Sequence, residues 1–243
     1  MSNFEVYPAI DLRGGKVVRL SEGDPNRQTV YGDDPAQTAA HWISAGARWL
    51  HVVNLDGAFE AADQQNLRAV QAILSVTQPI GIKLQLGGGI RTLADIEILL
   101  ELGVTRAILG TVAVAEPTIV PKAIERFGAE HVVVGIDARD NIVKVRGWQE
   151  ETLLTPVGLG RRLKAAGIET VIFTNIARDG LQHGVDVTST QQLAQETGLQ
   201  VIASGGVATL DDIRAVKAAG LPGVIVGRAL YENNFTLEEA LQC

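Results

Sequence analysis

The 243 residues contain one cysteine, Cys243, and it is the last of them. That excludes an internal disulfide framework and a multi-cysteine metal site. The four histidines, His41, His51, His131 and His183, show no metal-ligand spacing. No stretch of 18 consecutive apolar residues occurs, so a membrane span is not expected. The opening residues Met1-Ser2-Asn3-Phe4-Glu5 lack the basic start and apolar run of a secretory signal. These absences point to a reducing cytoplasm. Excess positive charge is also missing: 21 basic residues against 28 acidic give a formal charge of −7. Bulk steering toward nucleic acid is thereby disfavoured. A phosphorylated small molecule is not, because local amides and cations decide phosphate binding. No nucleic-acid or membrane partner is expected, and the chain is expected to be a monomer.

What is present is an ordinary globular balance, 46% hydrophobic and 20% charged, with a regular alternation. Short runs rich in β-branched residues lie at 5–10, 49–54, 82–86, 106–109, 131–136, 170–174, 201–203 and 223–226, as buried parallel strands should. Amphipathic stretches at 35–45, 66–76, 93–102, 118–127, 157–166, 189–197, 210–219 and 237–241 fit helices. Pro35 after Asp33-Asp34, and Thr209 before Leu210-Asp211-Asp212, mark helix starts. Gly46, Gly103, Gly128, Gly167, Gly198 and Gly220 suit left-handed C-terminal caps. Eight strand-then-helix units without a long linker predict an α/β (β/α)8 barrel over an open sheet.

The chain also repeats itself. Residues 88–110, GGIRTLADIEILLELGVTRAILG, align without a gap to 205–227, GGVATLDDIRAVKAAGLPGVIVG, at an offset of 117. Ala9-Ile10-Asp11 is echoed by Gly135-Ile136-Asp137. Two half-barrels, about 1–122 and 123–243, are therefore expected. Each alone would leave unpaired sheet edges, so they should be fused in a single barrel over 1–243.

Chemistry is expected at the carboxyl ends of the strands. Gly87-Gly88-Gly89, Gly110-Thr111, Gly205-Gly206 and Gly227-Arg228 follow strands three, four, seven and eight. A phosphate needs converging backbone amides without side chains in the way, and a following helix N-terminus adds partial positive charge. The repeat predicts two such sites across one mouth, suited to a substrate with a phosphate at each end. Equally, these glycines can serve tight turns alone. Arg91 and Arg228 are phosphate cations or solvated charges. Asp11 ends strand one and Asp137 ends strand five, on facing walls. One carboxyl group can accept a proton while the other donates. Thr174 ends strand six, and the loop after it offers a third acid, Asp179, beside Gly180. Trp148, in the loop after strand five, can stack on a planar ring, and Arg146 can pair with a carboxamide or phosphate. His51 in strand two is a substrate or structural contact.

Several of these segments resemble one family. They are Pro8-Ala9-Ile10-Asp11-Leu12, Gly15-Lys16-Val17-Val18-Arg19-Leu20, His51 to Ala58, Leu86 to Arg91, Gly135-Ile136-Asp137-Ala138, Arg146-Gly147-Trp148, Thr174 with Arg178-Asp179-Gly180, Ser204 to Val207, and Val226 to Ala229. In order along essentially the whole chain, they resemble the phosphoribosylformimino-5-aminoimidazole carboxamide ribotide isomerases of histidine biosynthesis. One departure is Asn54, where that family usually has an acid. The resemblance implies an Amadori rearrangement of an aminoaldose to an aminoketose, without cofactor or metal. It implies Asp11 as general base, Asp137 or Asp179 as proton donor, and Thr174 in support. It also places Arg19 among the substrate contacts and Trp148 against the imidazole or the sugar. Three other readings stay open. The sister cyclase of imidazole glycerol phosphate synthase opens with cysteine-leucine-aspartate where this chain has Ala9-Ile10-Asp11. A dual-substrate isomerase would also accept phosphoribosylanthranilate. A non-catalytic phosphate-binding barrel would bind without turnover.

Overall fold

A computed structural model of the chain describes residues 4–21, 24–58 and 64–243. Its centre is eight parallel strands: β1 Glu5–Arg13, β2 Trp49–Asn54, β3 Lys83–Gly87, β4 Arg106–Leu109, β5 Val132–Arg139, β6 Thr170–Asn175, β7 Gln200–Ser204 and β8 Gly223–Val226. Each pairs with the next, and β8 pairs back to β1 from Glu5↔Gly223 to Pro8↔Val226. The sheet therefore closes into a (β/α)8 barrel with no exposed edge among these strands. Around it run α1 Pro35–Ser44, α2 Gln65–Thr77, α3 Leu93–Leu102, α4 Ile119–Phe127, α5 Pro156–Ala165, α6 Val187–Thr197, α7 Leu210–Ala218 and α8 Leu237–Leu241.

The helix ends follow from short polar residues and glycine. Asp34 caps α1, accepting from the amides of Ala36 at 2.9 Å and Gln37 at 3.1 Å, with Pro35 in the first turn. Thr92 and Asp95 cap α3 reciprocally: Asp95 N–H donates to Thr92 Oγ1 at 3.2 Å, and Thr92 N–H to Asp95 Oδ2 at 2.8 Å. Asp212 holds the entry to α7, accepting from the amides of Ala208 and Thr209 at 2.9 Å each. Gly103 and Gly198 are left-handed caps. Gly46, Gly167 and Gly220 take positive φ just beyond α1, α5 and α7. Gly128 departs from expectation: its φ is positive at 90°, but ψ 147° takes it out of the left-handed helical region, and it leads into the short 3-10 turn Ala129–His131. That turn takes His131 out of the fifth strand.

Two strands run further than the sequence suggests, so Asp11 and Asp137 stand inside strands rather than at their ends. β1 passes Asp11 to Arg13 and turns back through Gly14-Gly15 into Lys16–Ser21, which pairs with Asp24–Gly32. Both glycines have positive φ, 57° and 76°, the two-residue turn that suits the right-handed twist of a hairpin. β5 likewise passes Asp137 and turns through Asp140 and Asn141, at φ 51° and 62°, into Ile142–Val145. Aspartate and asparagine tolerate this left-handed backbone better than other side chains. Short helices Leu55–Ala58, Thr111–Ala115 and Arg228–Tyr231 add to the eight expected.

Two apolar cores result. One packs the outward faces of the strands against the helices, with Ile10, Leu50, Ile96, Leu109, Ile136 and Leu193 fully buried. The other fills the barrel itself: Tyr7, Ala9, Trp49, Ile108, Val133, Ile172, Ile202 and Ile225. Alternation along each strand sends every second side chain inward. That carries Tyr7, Ala9 and Asp11 up one wall, and Val133, Gly135 and Asp137 up another.

Candidate active site

A cavity of about 450 Å3 opens over the carboxyl ends of the strands, within the usual range for small-molecule sites. It is lined by Asp11, Arg19, His51, Gly88, Gly89, Arg91, Gly110, Thr111, Asp137, Arg146, Trp148, Thr174, Asp179, Gly180, Gly205, Gly206, Gly227 and Arg228. Every site residue expected from the sequence therefore borders one space. The inner core forms its floor through Ala9, Ile108, Ile172 and Ile225.

Three aspartates, Asp11, Asp137 and Asp179, share this space. Arg19 returns over the mouth on the first hairpin, whose register sets Asp11 opposite Val18. Its Nη1 donates to Asp11 Oδ2 at 2.8 Å, and its Nη2 donates to Asp179 Oδ1 at 2.6 Å. Burial raises the Asp11 carboxyl above the ordinary carboxylate range, while the Arg19 charge opposes that shift. Burial also acts against the Arg19 charge, but the carboxylates of Asp179 and Asp11 more than offset it and raise its pKa. Among the described residues no cation acts on Asp137. Trp148 Nε1 donates to its Oδ2 at 2.8 Å, and Thr174, its register neighbour on β6, bonds to it as well. Burial raises Asp137, those two neutral donors lower it, and the Asp179 charge raises it again. His51, buried beside these groups, is pushed down to about 3, first by burial and then by the Arg19 charge. It is neutral at physiological pH, and its Nδ1 meets Gln85 Nε2 at 3.0 Å.

The glycine turns stand on two sides of the cavity. Gly88 and Gly89 have φ 99° and 82°, and Gly205 and Gly206 have φ 85° and 91°. A Cβ on Gly88 would lie 2.1 Å from the Asn54 carbonyl oxygen, and one on Gly206 would lie 2.3 Å from that of Gly184. Turn packing alone thus demands glycine at both positions. Gly110 and Gly227 differ: a Cβ on Gly110 meets nothing within 4 Å, and one on Gly227 meets only ordinary contacts. They open the short helices Thr111–Ala115 and Arg228–Tyr231 with nearly the same backbone, φ −107° ψ −111° and φ −108° ψ −100°. Arg91 donates to the Gly57 carbonyl at 3.2 Å, and Arg228 Nη1 to that of Gly180 at 2.7 Å. The Arg146 side chain pairs with Glu150 at 3.1 Å, and its amide donates to Thr111 Oγ1 at 2.8 Å. Asn54 shows no ionic role: its Oδ1 accepts from Gly57 N–H at 3.0 Å and from Asn66 Nδ2 at 2.8 Å.

Sequence reasoning missed the bridge that Arg19 makes between two acids, and Lys144, which lines the cavity from the second hairpin. Both depend on the hairpins. The dipeptide Gly14-Gly15 was the available signal. Among the described residues no group of three or more His, Cys, Asp or Glu is placed to hold a metal ion, and no helix is long and apolar enough to cross a membrane.

The chain is similar to known proteins along nearly its full length. The family model described as histidine biosynthesis protein matches residues 5–236. A relative from Geobacillus thermodenitrificans (strain NG80-2) is 47% identical over 245 residues, covering 100% of this chain and 98% of its own. One from Desulfitobacterium hafniense (strain Y51) is 48% identical over 242 residues, covering 98% and 96%. One from Methanosarcina barkeri (strain Fusaro / DSM 804) is 45% identical over 239 residues, covering 98% and 97%. All three are named 1-(5-phosphoribosyl)-5-((5-phosphoribosylamino)methylideneamino) imidazole-4-carboxamide isomerase. With a closed barrel, three aspartates at its mouth and relatives this similar over their whole length, the chain belongs to the histidine biosynthesis protein family.

Proposed function

We propose that this chain is the isomerase its relatives are named for. It converts the aminoaldose diribotide to the aminoketose by an Amadori rearrangement, using its own acid and base groups. The observation that carries this reading is the arrangement of Asp11, Asp137 and Asp179 around one cavity bordered on two sides by glycine turns. The substrate has a phosphate at each end. One phosphate belongs with Gly88, Gly89, Arg91, Gly110 and Thr111, the other with Gly205, Gly206, Gly227 and Arg228. The sugar to be opened then lies between the acids. Trp148 and Arg146 border the same space for the imidazole carboxamide.

The electrostatics divide the labour. Asp137 has burial and only neutral donors around it, so it is the acid best suited to carry a proton. It protonates the ribose ring oxygen, the C1–O bond breaks, and the nitrogen lone pair completes an iminium. Asp11, held beside the Arg19 charge, is the carboxylate suited to accept a proton. It takes the C2 proton, the electron pair neutralises the iminium, and the enolamine tautomerises to the ketone. Asp179 shares Arg19 with Asp11, which suits it to the role of orienting Arg19. Thr174 holds Asp137 in place. The two halves of the repeat supply one end of the substrate site each, within a barrel that we take to be one unit and a monomer.

The direct test is turnover of the aminoaldose diphosphate by the purified chain, followed by absorbance. Binding of that compound without conversion would leave only a phosphate-ligand barrel. Conversion of phosphoribosylanthranilate as well would widen the substrate range.

A further inference from the structure

The proposed machinery does not use Glu232, the residue that follows the short helix Arg228–Tyr231. Three side chains, from that helix, from the first hairpin and from the loop after β6, meet on its carboxylate. Arg228 Nε donates to Oε1 at 2.7 Å. Tyr31, at the far end of the first hairpin, donates its hydroxyl to Oε1 at 3.3 Å. Gln182, from the loop after β6, donates Nε2 to Oε2 at 3.1 Å. The Tyr31 ring also stacks on Tyr231, with centroids 4.5 Å apart and planes 15° from parallel. Tyr231 in turn fixes its own hydroxyl on the Ala9 carbonyl of β1 at 2.9 Å.

Each arm leads back to the site. Arg228 spends Nη1 on the Gly180 carbonyl, directly beside Asp179. The hairpin that ends at Tyr31 carries Arg19, which grips Asp179 from the other side. Gln182 lies on the same loop as Asp179 and lines the cavity. We propose that Glu232 is a positioning residue: by fixing Arg228, Tyr31 and Gln182 together, it sets where Arg228 meets the substrate phosphate and where Asp179 meets Arg19. The hydrogen bond from Arg228, helped by its charge, keeps Glu232 below the usual carboxylate range, so the anchor is charged at neutral pH. Glu232 is exposed, and exposed ion pairs add little to folding stability. Its loss is therefore read in kinetics rather than in melting temperature.

This inference rests on the proposed isomerase reading, and the test separates the two. Wild type, Glu232→Ala, Glu232→Gln, Arg228→Gln and the Glu232→Ala/Arg228→Gln double variant are compared for kcat, KM and melting temperature. Glu232→Ala is expected to lower kcat/KM about tenfold, because the released Arg228 no longer makes its charge-assisted contact with the substrate phosphate, with melting unchanged. Glu232→Gln, whose amide oxygen still accepts from Arg228 Nε, recovers most of the loss. In the double variant the Glu232 substitution adds little to Arg228→Gln, because residues acting through one contact are not additive. Unchanged kcat and KM in Glu232→Ala, or full additivity with Arg228→Gln, overturns the proposal. Absence of turnover in the wild type sinks the isomerase reading instead. The anchor is then read by NMR from the Arg228 Nε–H signal, slow to exchange in wild type and fast in Glu232→Ala. Equal exchange in the two overturns it.

Discussion

At the scale of single residues, the site separates two carboxyl groups of one chemical type by their neighbours. Asp11 has a guanidinium at 2.8 Å, and Asp137 has an indole N–H at 2.8 Å and a threonine. Asp11→Asn is expected to cut turnover by about 10²–10⁴-fold, the usual cost of a lost general base, while substrate affinity survives. Near-normal turnover in that variant would remove Asp11 from the mechanism. Asp137 makes a second prediction, through stability. Its folded pKa lies above its unfolded one. The stability it contributes is therefore full below the unfolded value, about 3.9, and is lost as pH rises through the folded value. Asp137→Asn cannot ionise and escapes that loss. Melting temperatures of variant and wild type, compared from about pH 4 to pH 7, should shift steadily in the variant's favour. A constant difference would show that Asp137 does not resist ionisation.

At the scale of elements, the glycine turns are where sequence and structure meet most closely. Gly206 combines φ 91° with a Cβ position 2.3 Å from a carbonyl oxygen, whereas Gly198 has φ 68° and open space. Gly198→Ala should cost about 1–2 kcal/mol in denaturant unfolding, the left-handed backbone penalty alone, and leave KM unchanged. Gly206→Ala should cost more and also raise KM, since its turn must shift. Equal effects in both variants would detach the Gly205-Gly206 turn from the substrate. The helices were legible because caps and glycines punctuate them: Asp34, Thr92 and Gly103 each sit at a boundary that the pattern marks. The two hairpins were not. β1 and β5 carry their apolar alternation only as far as the acids. What continues them is a positive-φ turn, which in Asp140-Asn141 has no glycine to announce it. Asp11, Asp137 and Thr174 could be placed from strand position alone. Their partners could not, because Arg19 and Trp148 reach them from the hairpin and the loop beyond it.

At the scale of the whole molecule, closure joins the two ends of the chain. β8 pairs with β1, and β4 with β5, so a cut between the proposed halves would expose two parallel edges with nothing to cover them. Denaturant unfolding should accordingly show one transition. Far-UV circular dichroism and tryptophan fluorescence should coincide, since Trp42 and Trp49 report on the first half and Trp148 on the second. Two separated transitions would mean that the halves hold together independently.

The plug of apolar side chains inside the strands has a consequence for traffic. Ala9, Ile108, Ile172 and Ile225 face the acids, Tyr7, Trp49 and Ile202 face the opposite end, and Val133 between them is fully buried. The barrel is a cup and not a pipe. What enters over the rim leaves over the same rim, so spent ligand and fresh ligand compete for one doorway. Accumulated product should therefore slow the enzyme as a competitor of its own substrate, and whatever covers the rim halts arrival and departure together.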